Sequence, residues 1–390
     1  MKIILLISPY WKEDHRWMVS SVKLSELWQK IGYRVVVVCM GGERAQGPTL
    51  RQSSGQGAQG RNIEKVSETL EIHRFPDFFI PDPWNYGIAF GFSRYVRKLE
   101  RQIKPDVVVV NKLLFWSSLS TIALRLRGVY VIQLTDALVG MTWWPRGCIP
   151  KVCAAIYAWT LGWIELLCAE RVVFFHPQPT PLLKRLGIFG KSEVIPTGID
   201  PAKFGIRNSE FGINHQITIT YVGRLESIKG VDDFLAAAAP IAEKHPHVKI
   251  QVVGWYKEGH PLVEQYRHSV TFTGLQSDIA GILSKTNIFV LPSHSEGLSN
   301  ALMEAMASGC ACIASDVGGN RFLIQNGVSG FLFPAGDREA LQSHIQRLID
   351  DASKRASLGI AARERIEKVF SWEHVGAQYA QLFQQFITQK

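Results

Sequence analysis

The chain has 390 residues, of which 46% are hydrophobic and 20% charged, and its formal net charge is +9. This length predicts two domains of similar size, and the composition excludes long intrinsic disorder. The apolar run within MKIILLISPYW is too short for a signal peptide, and the six cysteines form no C-x-x-C pair. We therefore expect a cytoplasmic protein with reduced thiols.

The positive charge is concentrated in the first half of the chain. Residues 1–205 contain 26 Lys and Arg against 16 Asp and Glu, whereas the remainder contains 17 against 18. Such an asymmetry indicates an anionic surface or substrate for the first half, although a basic solubilising surface is the alternative. Because no helix-turn-helix, zinc-finger or RNA-recognition signature accompanies the charge, we expect no nucleic acid partner.

Short β-branched runs alternate with longer amphipathic segments, which is typical of parallel sheets with crossover helices. The first half predicts strands at 2–7, 34–39, 70–75, 106–111, 129–135, 171–175 and 193–196. Helices are predicted at 17–30 and near 94–103, and the Gly/Ser/Gln-rich residues 48–61 predict a mobile loop.

Residues 151–169 are the most apolar tract, and Glu165 is their only charge after Lys151. A single helix is predicted here, and three placements stay open: in the core, on a membrane surface, or across a membrane. Just upstream, Met141 to Arg146 reads MTWWPR, and tryptophan beside arginine favours contact with lipid headgroups.

The second half predicts another alternating series. Its strands are expected at 217–222, 248–253, 270–273, 288–291, 311–314 and 330–333, and its helices near 231–244, 261–268, 277–285, 298–308, 320–326, 337–350, 352–369 and 372–387. The whole pattern predicts two Rossmann-like domains in tandem.

One stretch of the second half, Leu291 to Gly309, combines a strand end, a polar loop and a helix. Glu296 lies in the loop and Glu304 in the helix, about 10 Å apart at the rise of an α-helix. The carboxyl edge of a parallel sheet binds ligands, and the free N–H groups of a helix N-terminus attract anions. Two carboxylates at this spacing suit an extended ligand with an anionic middle, whereas solvated surface charges are the plain alternative.

The loop after the first strand of the second series supplies cations. Gly223 permits close backbone approach, and Arg224 and Lys229 can hold a diphosphate from two sides. In a parallel sheet this loop and the Glu296 loop open onto the same edge. Together they predict a nucleotide-sugar site: Arg224, Lys229 and the N–H groups of Gly297, Leu298, Ser299 and Asn300 for the phosphates, Glu304 for the ribose and Glu296 for the sugar.

These residues, with Pro196 to Asp200 and Gly318-Gly319, make the chain resemble a retaining glycosyltransferase of family 4 (glycosyl transferases group 1). The resemblance implies the α/β fold called GT-B, in which two Rossmann-like parallel-sheet domains face a cleft and a C-terminal helix crosses back to the first domain. It implies an acceptor domain at 1–200, a nucleotide-sugar domain at 201–370 and a crossover helix at 371–390. The implied activity is transfer of a sugar, most readily from a UDP-sugar and next from a GDP-sugar, to a glycan or lipid-linked acceptor in cell-surface polysaccharide or glycolipid biosynthesis.

Two departures from the family concern the first domain. The glycine-rich loop that follows the first strand in many relatives is replaced by residues 9–16, which include His15 and Arg16. These two residues, together with Trp143 of the MTWWPR segment, are the candidates for the acceptor side. Relatives often place a histidine at the end of the fifth strand, where this chain has Thr135-Asp136. Asp136 is therefore the candidate for a catalytic position beside Glu296, and an Asx turn is its alternative.

The expected mechanism needs no metal and no cofactor, because Arg224 and Lys229 supply positive charge and the chain contains no D-x-D pair. We expect peripheral contact with anionic membrane at the inner face of the cytoplasmic membrane. Two competing readings are a catalytically inactive transferase-like binding subunit and a nicotinamide-dependent oxidoreductase. The latter lacks the G-x-G-x-x-G phosphate turn.

Overall fold

The computed structural model describes residues 1–11, 19–41, 62–80, 86–142, 144–145, 147–205 and 216–388. The loop predicted at 48–61 lies outside these ranges. The chain divides into two compact units. One combines Met1–Thr197 with Gly376–Lys390, and the other is Gly198–Val375.

The first unit contains a sheet built from apolar, β-branched strands. The strands of the described residues are β1 (Ile3–Ser8), β2 (Arg34–Met40), β3 (Asn62–Lys65), β4 (Leu70–Phe75), β7 (Val107–Asn111), β8 (Ile132–Thr135), β9 (Arg171–Phe174) and β10 (Ser192–Val194), with a separate ribbon of β5 (Phe78–Ile80) and β6 (Tyr86–Ile88). Their order is β10-β9-β8-β7-β1-β2-β4-β3. All pairs in this sheet are parallel except β3 with β4. Because parallel strands are covered on both faces, runs such as VVVV in β2 and β7 are wholly buried.

Helices of the first unit follow the strands in sequence. They are α1 (Val19–Lys30), α2 (Phe92–Ile103), α3 (Ser120–Arg125), α4 (Cys148–Ala158), α5 (Leu161–Cys168) and α6 (Thr180–Arg185). The single helix predicted at 151–169 is wrong, because Trp159 and Thr160 leave the α-helical conformation and separate α4 from α5.

The second unit contains a wholly parallel sheet. Its described strands are β11 (Ile217–Val222), β12 (Val248–Val253), β13 (Val270–Phe272), β14 (Ile288–Leu291), β15 (Ala311–Ser315) and β16 (Phe331–Phe333), in the order β13-β12-β11-β14-β15-β16. Its helices are α7 (Val231–Lys244), α8 (Pro261–Tyr266), α9 (Ile279–Leu283), α10 (Asn300–Ala307), α11 (Asn320–Leu323), α12 (Arg338–Asp350) and α13 (Ala352–Arg365), the last continued by a wider helical turn at Ile366–Phe370. Apolar side chains are buried on both faces of this sheet, with Phe234 on one side and Phe289 on the other.

The last helix, α14 (Trp372–Thr388), begins in the second unit and continues in the first. Tyr379 and Phe383 of α14 pack edge to face against Trp28 of α1, at centroid distances of 5.6 and 5.3 Å. At its start, Ile199 and Ser371 form a parallel bridge, and the Trp372 ring lies so close to Gly198 that a Cβ there would overlap it. The predicted fold, two Rossmann-like sheets with a C-terminal helix that returns to the first, is confirmed.

Candidate donor site at the edge of the second sheet

The candidate site lies where the strand order of the second sheet reverses. β11 pairs with β12 on one side and with β14 on the other, and the chain visits β12 and β13 before it returns to β14. The loops that follow β11 and β14 therefore leave the carboxyl edge side by side. In open α/β sheets this is the position at which ligands bind.

An ion pair joins the two loops. Lys229 Nζ lies 2.7 Å from Glu296 Oε1, and Ser293 Oγ donates to the same oxygen at 2.7 Å. The Glu296 side chain is only 10% exposed and that of Lys229 25%. A buried carboxylate requires such partners, since an unpaired one would lose its hydration without compensation.

Close backbone contact explains why the residue that follows Lys229 is a glycine. Gly230 has φ of +64°, and a Cβ on it would overlap the carbonyl oxygen of Pro292. The two loops are also tied by the His294 N–H, which donates to the Ile228 carbonyl at 2.9 Å. Lys229 is thus held beside the Glu296 loop by backbone geometry as well as by charge.

Arg224 lies on the same loop as Lys229 and has a carboxylate partner of its own. Its Nη1 is 3.0 Å from Glu226 Oε1, and 57% of its side chain is exposed. The Tyr221 hydroxyl donates to the Arg224 carbonyl at 2.8 Å, and burial raises the pKa of this phenol, which favours the neutral donor. Gly254 packs so tightly against Gly223 that a Cβ on Gly254 would overlap the Gly223 carbonyl.

The N-terminus of α10 opens onto the same edge. The helix begins at Asn300, two residues later than predicted, and Ser299 caps it by accepting from the Leu302 N–H. In this described segment the backbone N–H groups of Gly297, Leu298, Ser299 and Asn300 have no protein acceptor. Free N–H groups in the first turn carry the positive end of the helix dipole.

Gly318 and Gly319 support this loop from β15. A Cβ on Gly318 would overlap the Glu296 carbonyl, and one on Gly319 would overlap that of Gly297. The Gly319 N–H also donates to the Gly297 carbonyl at 3.1 Å. The glycine pair is therefore required by the close approach of two loops.

Glu304 lies one turn further along α10 and is half-buried. Among the described residues its carboxyl has no hydrogen-bond partner, and burial raises its pKa to about 7. A carboxyl kept from water without a partner is ready to accept hydrogen bonds from a ligand's hydroxyls.

A second network behind the loops was missed by sequence reasoning. The buried carboxylate of Asp233, in the first turn of α7, lies 3.0 Å from His294 Nε2 and 2.6 Å from Arg338 Nε. It joins α7, the Glu296 loop and α12. Asp232-Asp233, separated from Lys229-Gly230 by Val231, was the only signal in the sequence, since His294 and Arg338 lie far along the chain.

Asp136 lies at the carboxyl edge of the first sheet, where Lys112 Nζ pairs with its carboxylate. Lys112 has φ of +71°, a strained value for a lysine, and its ammonium also lies 5.4 Å from the Phe175 ring centroid. The Gln178 amide donates to the Asp136 carbonyl at 3.3 Å. His15, Arg16 and Trp143 lie outside the described residues.

Of the predicted donor-site residues, Gly223, Arg224, Lys229, Glu296, Gly297, Leu298, Ser299, Asn300 and Glu304 all lie on the two adjacent loops or on α10 of the second unit. Asp136 belongs to the other unit. Among the described residues, no three His, Cys, Asp or Glu side chains come together in a way that would hold a metal ion.

Two family profiles match the chain. The profile described as Glycosyltransferase Family 4 matches residues 19–203, and the one described as Glycosyl transferases group 1 matches residues 216–351. The chain belongs to glycosyltransferase family 4. The resemblance predicted from the glutamate pair and the Arg224 loop is confirmed.

Individual relatives of this family 4 glycosyltransferase are distant. It is 30% identical over 207 residues to the capsular polysaccharide biosynthesis glycosyltransferase CapM of Staphylococcus aureus, a match that covers 49% of this chain and 53% of that protein. It is 30% identical over 210 residues to an Escherichia coli UDP-Gal:alpha-D-GlcNAc-diphosphoundecaprenol alpha-1,3-galactosyltransferase, covering 48% and 54%. The chain thus spans about half the length of each of these two proteins.

The fold is shared with solved structures along the whole chain. Anabaena HepE in complex with UDP superposes with a TM-score of 0.72 at 17% identity, covering 99% of this chain and 100% of that one. At this identity the likeness concerns the fold.

Proposed function

We propose that this glycosyltransferase moves a sugar from a UDP-sugar, with retention of the anomeric configuration, to a glycan or lipid-linked acceptor in cell-surface polysaccharide or glycolipid biosynthesis. The observation that carries the proposal is the contact of Lys229 with Glu296 at the switch point of the second sheet, beside free N–H groups of α10. Cations, helix dipole and carboxylates there match the phosphates, ribose and sugar of one donor.

The diphosphate of the donor would take Lys229, Arg224 and the N–H groups of Gly297 to Asn300 as its partners. Without donor, Lys229 and Arg224 are paired with Glu296 and Glu226. Donor binding would exchange these partners: the phosphates receive the cations, and Glu296 is released to accept from the sugar hydroxyls. Such an exchange keeps Lys229, Arg224 and Glu296 partnered in both states.

The ribose hydroxyls would donate to Glu304. Two such hydrogen bonds favour the ionised carboxylate, so donor binding opposes the effect of burial on its pKa.

Departure of UDP would place negative charge on the β-phosphate, where Lys229, Arg224 and the helix dipole stabilise it. This cationic set makes a divalent metal unnecessary. In a retaining transfer on the same face of the sugar, the bond from C1 to the phosphate oxygen breaks as the acceptor oxygen bonds to C1, and the departing phosphate accepts the acceptor's proton. We propose Asp136 as the acceptor-side catalytic group.

Relatives support the choice of donor and acceptor. The Escherichia coli relative uses UDP-Gal and a diphosphoundecaprenol acceptor by its name, and HepE was solved with UDP. A lipid-linked acceptor would place the reaction at the inner face of the cytoplasmic membrane. GDP-sugars are the next donor class to test.

Turnover of a donor panel with Glu296→Gln tests the proposal. We expect this variant to lose about 10²- to 10³-fold in transfer rate, because Glu296 orders the sugar and pairs Lys229. Glu364→Gln, which alters an exposed glutamate paired with Lys368, is the matched control and should keep full activity. Retention is checked by the anomeric coupling constant of the product in NMR spectra. Unchanged turnover in Glu296→Gln would overturn the role given to Glu296, and binding of a donor without transfer by wild type would instead indicate an inactive binding subunit.

A further inference from the structure

An exposed apolar surface lies on the first unit around α4 and α5. Ten of the 22 exposed large apolar side chains among the described residues fall between residues 144 and 189, with exposed fractions of 39–68%. This surface, the α4–α5 face, consists of Trp144, Ile149, Val152, Ile156, Trp159, Leu161, Trp163, Ile164, Leu167 and Phe189. Single exposed apolar residues are ordinary, but a contiguous patch of this kind marks an interaction surface.

In these two helices apolar side chains lie on the exposed side, and the acidic side chain lies on the buried side. Ile149, Val152 and Ile156 recur at helical spacing on the exposed side of α4, whereas the only acidic residue of both helices, Glu165, is fully buried. The Tyr157 hydroxyl donates to Glu165 Oε1 at 2.6 Å. The polar group thus holds the helices onto the unit, and their apolar side chains point outward.

Neither helix is long enough to cross a bilayer by itself. By length and composition the stretch Cys148–Cys168 is a candidate membrane span, but it is divided into 11 residues in α4 and 8 in α5. At 1.5 Å per residue, neither approaches the length of about 20 residues that a spanning helix requires. Burial of Glu165 against the unit further fixes these helices to the protein surface.

Basic side chains border the face. Arg185 lies over the Trp159 ring at 4.9 Å, and Lys184 lies over Phe189 at 5.5 Å. Lys151 is exposed between Ile149 and Val152 of α4.

Acidic residues are scarce in the same region. Residues 137–192 contain six basic residues and only two acidic ones. Of these two, Glu165 is buried and Glu170 pairs with Arg125 at 3.5 Å. An apolar centre with a basic border, and with no unpaired exposed acid within residues 137–192, complements the surface of an anionic bilayer.

We propose that the α4–α5 face docks on an anionic lipid bilayer, with its isoleucines and tryptophans at headgroup depth and Lys151, Lys184 and Arg185 on lipid phosphates. The inference rests on the proposed function in one respect, since a membrane-held acceptor gives the docking its purpose. The helices would lie in the plane of the interface.

The test is sedimentation of the full chain with vesicles of phosphatidylcholine and phosphatidylglycerol at low salt. Wild-type protein should bind, and the I149S/V152S/I156S variant should lose at least about tenfold in partition coefficient. The matched control, I63S/V328S/I360S, removes side chains of the same types with similar exposure, 58–63%. It should bind as wild type does. A K184E/R185E variant should weaken binding to anionic vesicles and reduce the salt dependence of the residual binding, to which Lys151 still contributes.

UDP-sugar binding to the same variants, measured without vesicles, separates the two proposals. If the I149S/V152S/I156S variant still binds UDP-sugar but no longer binds vesicles, both the docking proposal and the proposed function are supported. Wild-type protein that binds UDP-sugar but not vesicles overturns the docking proposal alone, and vesicle binding without donor binding overturns the proposed function alone. Wild-type protein could also fail to bind vesicles and sediment as a dimer that the I149S/V152S/I156S substitutions convert to a monomer. In that case a second copy of the chain covers the face, and the docking proposal is wrong.

Discussion

The two units use buried glutamates in opposite ways. Glu304 of the second unit has a pKa raised to about 7 by burial and no protein partner among the described residues, whereas Glu165 of the first has a similarly raised pKa and accepts from Tyr157. The carboxyl of Glu304 is open to a ligand, whereas that of Glu165 is buried beneath an apolar surface. We therefore propose that donor binding is concentrated at one sheet edge of the second unit, whereas the first unit presents an exposed apolar surface.

The largest expected effect tests whether the catalytic work is divided between the units. Asp136→Asn should lower sugar transfer by about 10²- to 10³-fold, because it removes a carboxylate that would stabilise the positive charge developing at C1, and should leave UDP-sugar affinity unchanged. Turnover and calorimetry on the same preparation check this. Equal losses in transfer and donor affinity would assign Asp136 to structure instead.

A smaller effect is expected from the glycine beneath the donor loop. Gly318→Ala places a Cβ into the Glu296 carbonyl, so the loop must move and UDP-sugar affinity should fall by about tenfold or more. Gly327→Ala is the matched control, since Gly327 also has positive φ but open space around it. Both should lose about 1–2 kcal/mol of stability from backbone strain, but only the first should lose donor affinity.

The pH dependence of donor binding should report on Glu304. Because the ribose hydroxyls would bind the ionised carboxylate in the proposed site, UDP-sugar affinity should fall toward tenfold per pH unit below about 7 and level off above it. Glu304→Gln should flatten this profile, as calorimetry from pH 5.5 to 8.5 can measure. The diphosphate of a nucleotide sugar has no proton that titrates in this range. A sloping profile in the variant would contradict the assignment.

Glu165 should affect stability and leave donor binding unchanged. Its folded pKa of about 7 exceeds the unfolded value of 4.5, so the folded state binds more protons between these values and stability falls as pH rises through this window. The loss amounts to about 3 kcal/mol at most. Denaturant unfolding at pH 5 and pH 8 should show a smaller fall in Glu165→Gln than in wild type. An equal fall would mean that Glu165 is ionised throughout.

Much of the fold was predictable because local signals agree with tertiary context. Strands Ile217–Val222 and Val248–Val253 and helix Val231–Lys244 have the predicted bounds, since their apolar periodicity matches the faces they bury. The break at Trp159–Thr160 was not predictable, because a continuous apolar tract does not show that two helices bury different sides. Strand β3 was missed because NIEK is polar and its pairing with β4 lies on the sheet edge.

The candidate site was predictable to the extent that it follows strand ends. Gly223 to Lys229 and Glu296 come directly after buried strands, so topology alone puts them at one edge. Their partners were not predictable, because the contact of Asp233 with Arg338 joins residues 105 positions apart. The proposal that Lys229 exchanges Glu296 for a phosphate likewise depended on the observed 2.7 Å contact.

Calorimetric titration of UDP-sugars into the full chain tests the central claim most directly, with Lys229→Ala and Lys368→Ala compared. Both lysines are paired with a glutamate, but only Lys229 lies at the sheet edge. We expect wild type and Lys368→Ala to bind a UDP-sugar equally and Lys229→Ala to bind at least about tenfold more weakly. Equal affinity in both variants, or no binding of any UDP-, GDP- or ADP-sugar by wild type, would contradict the account.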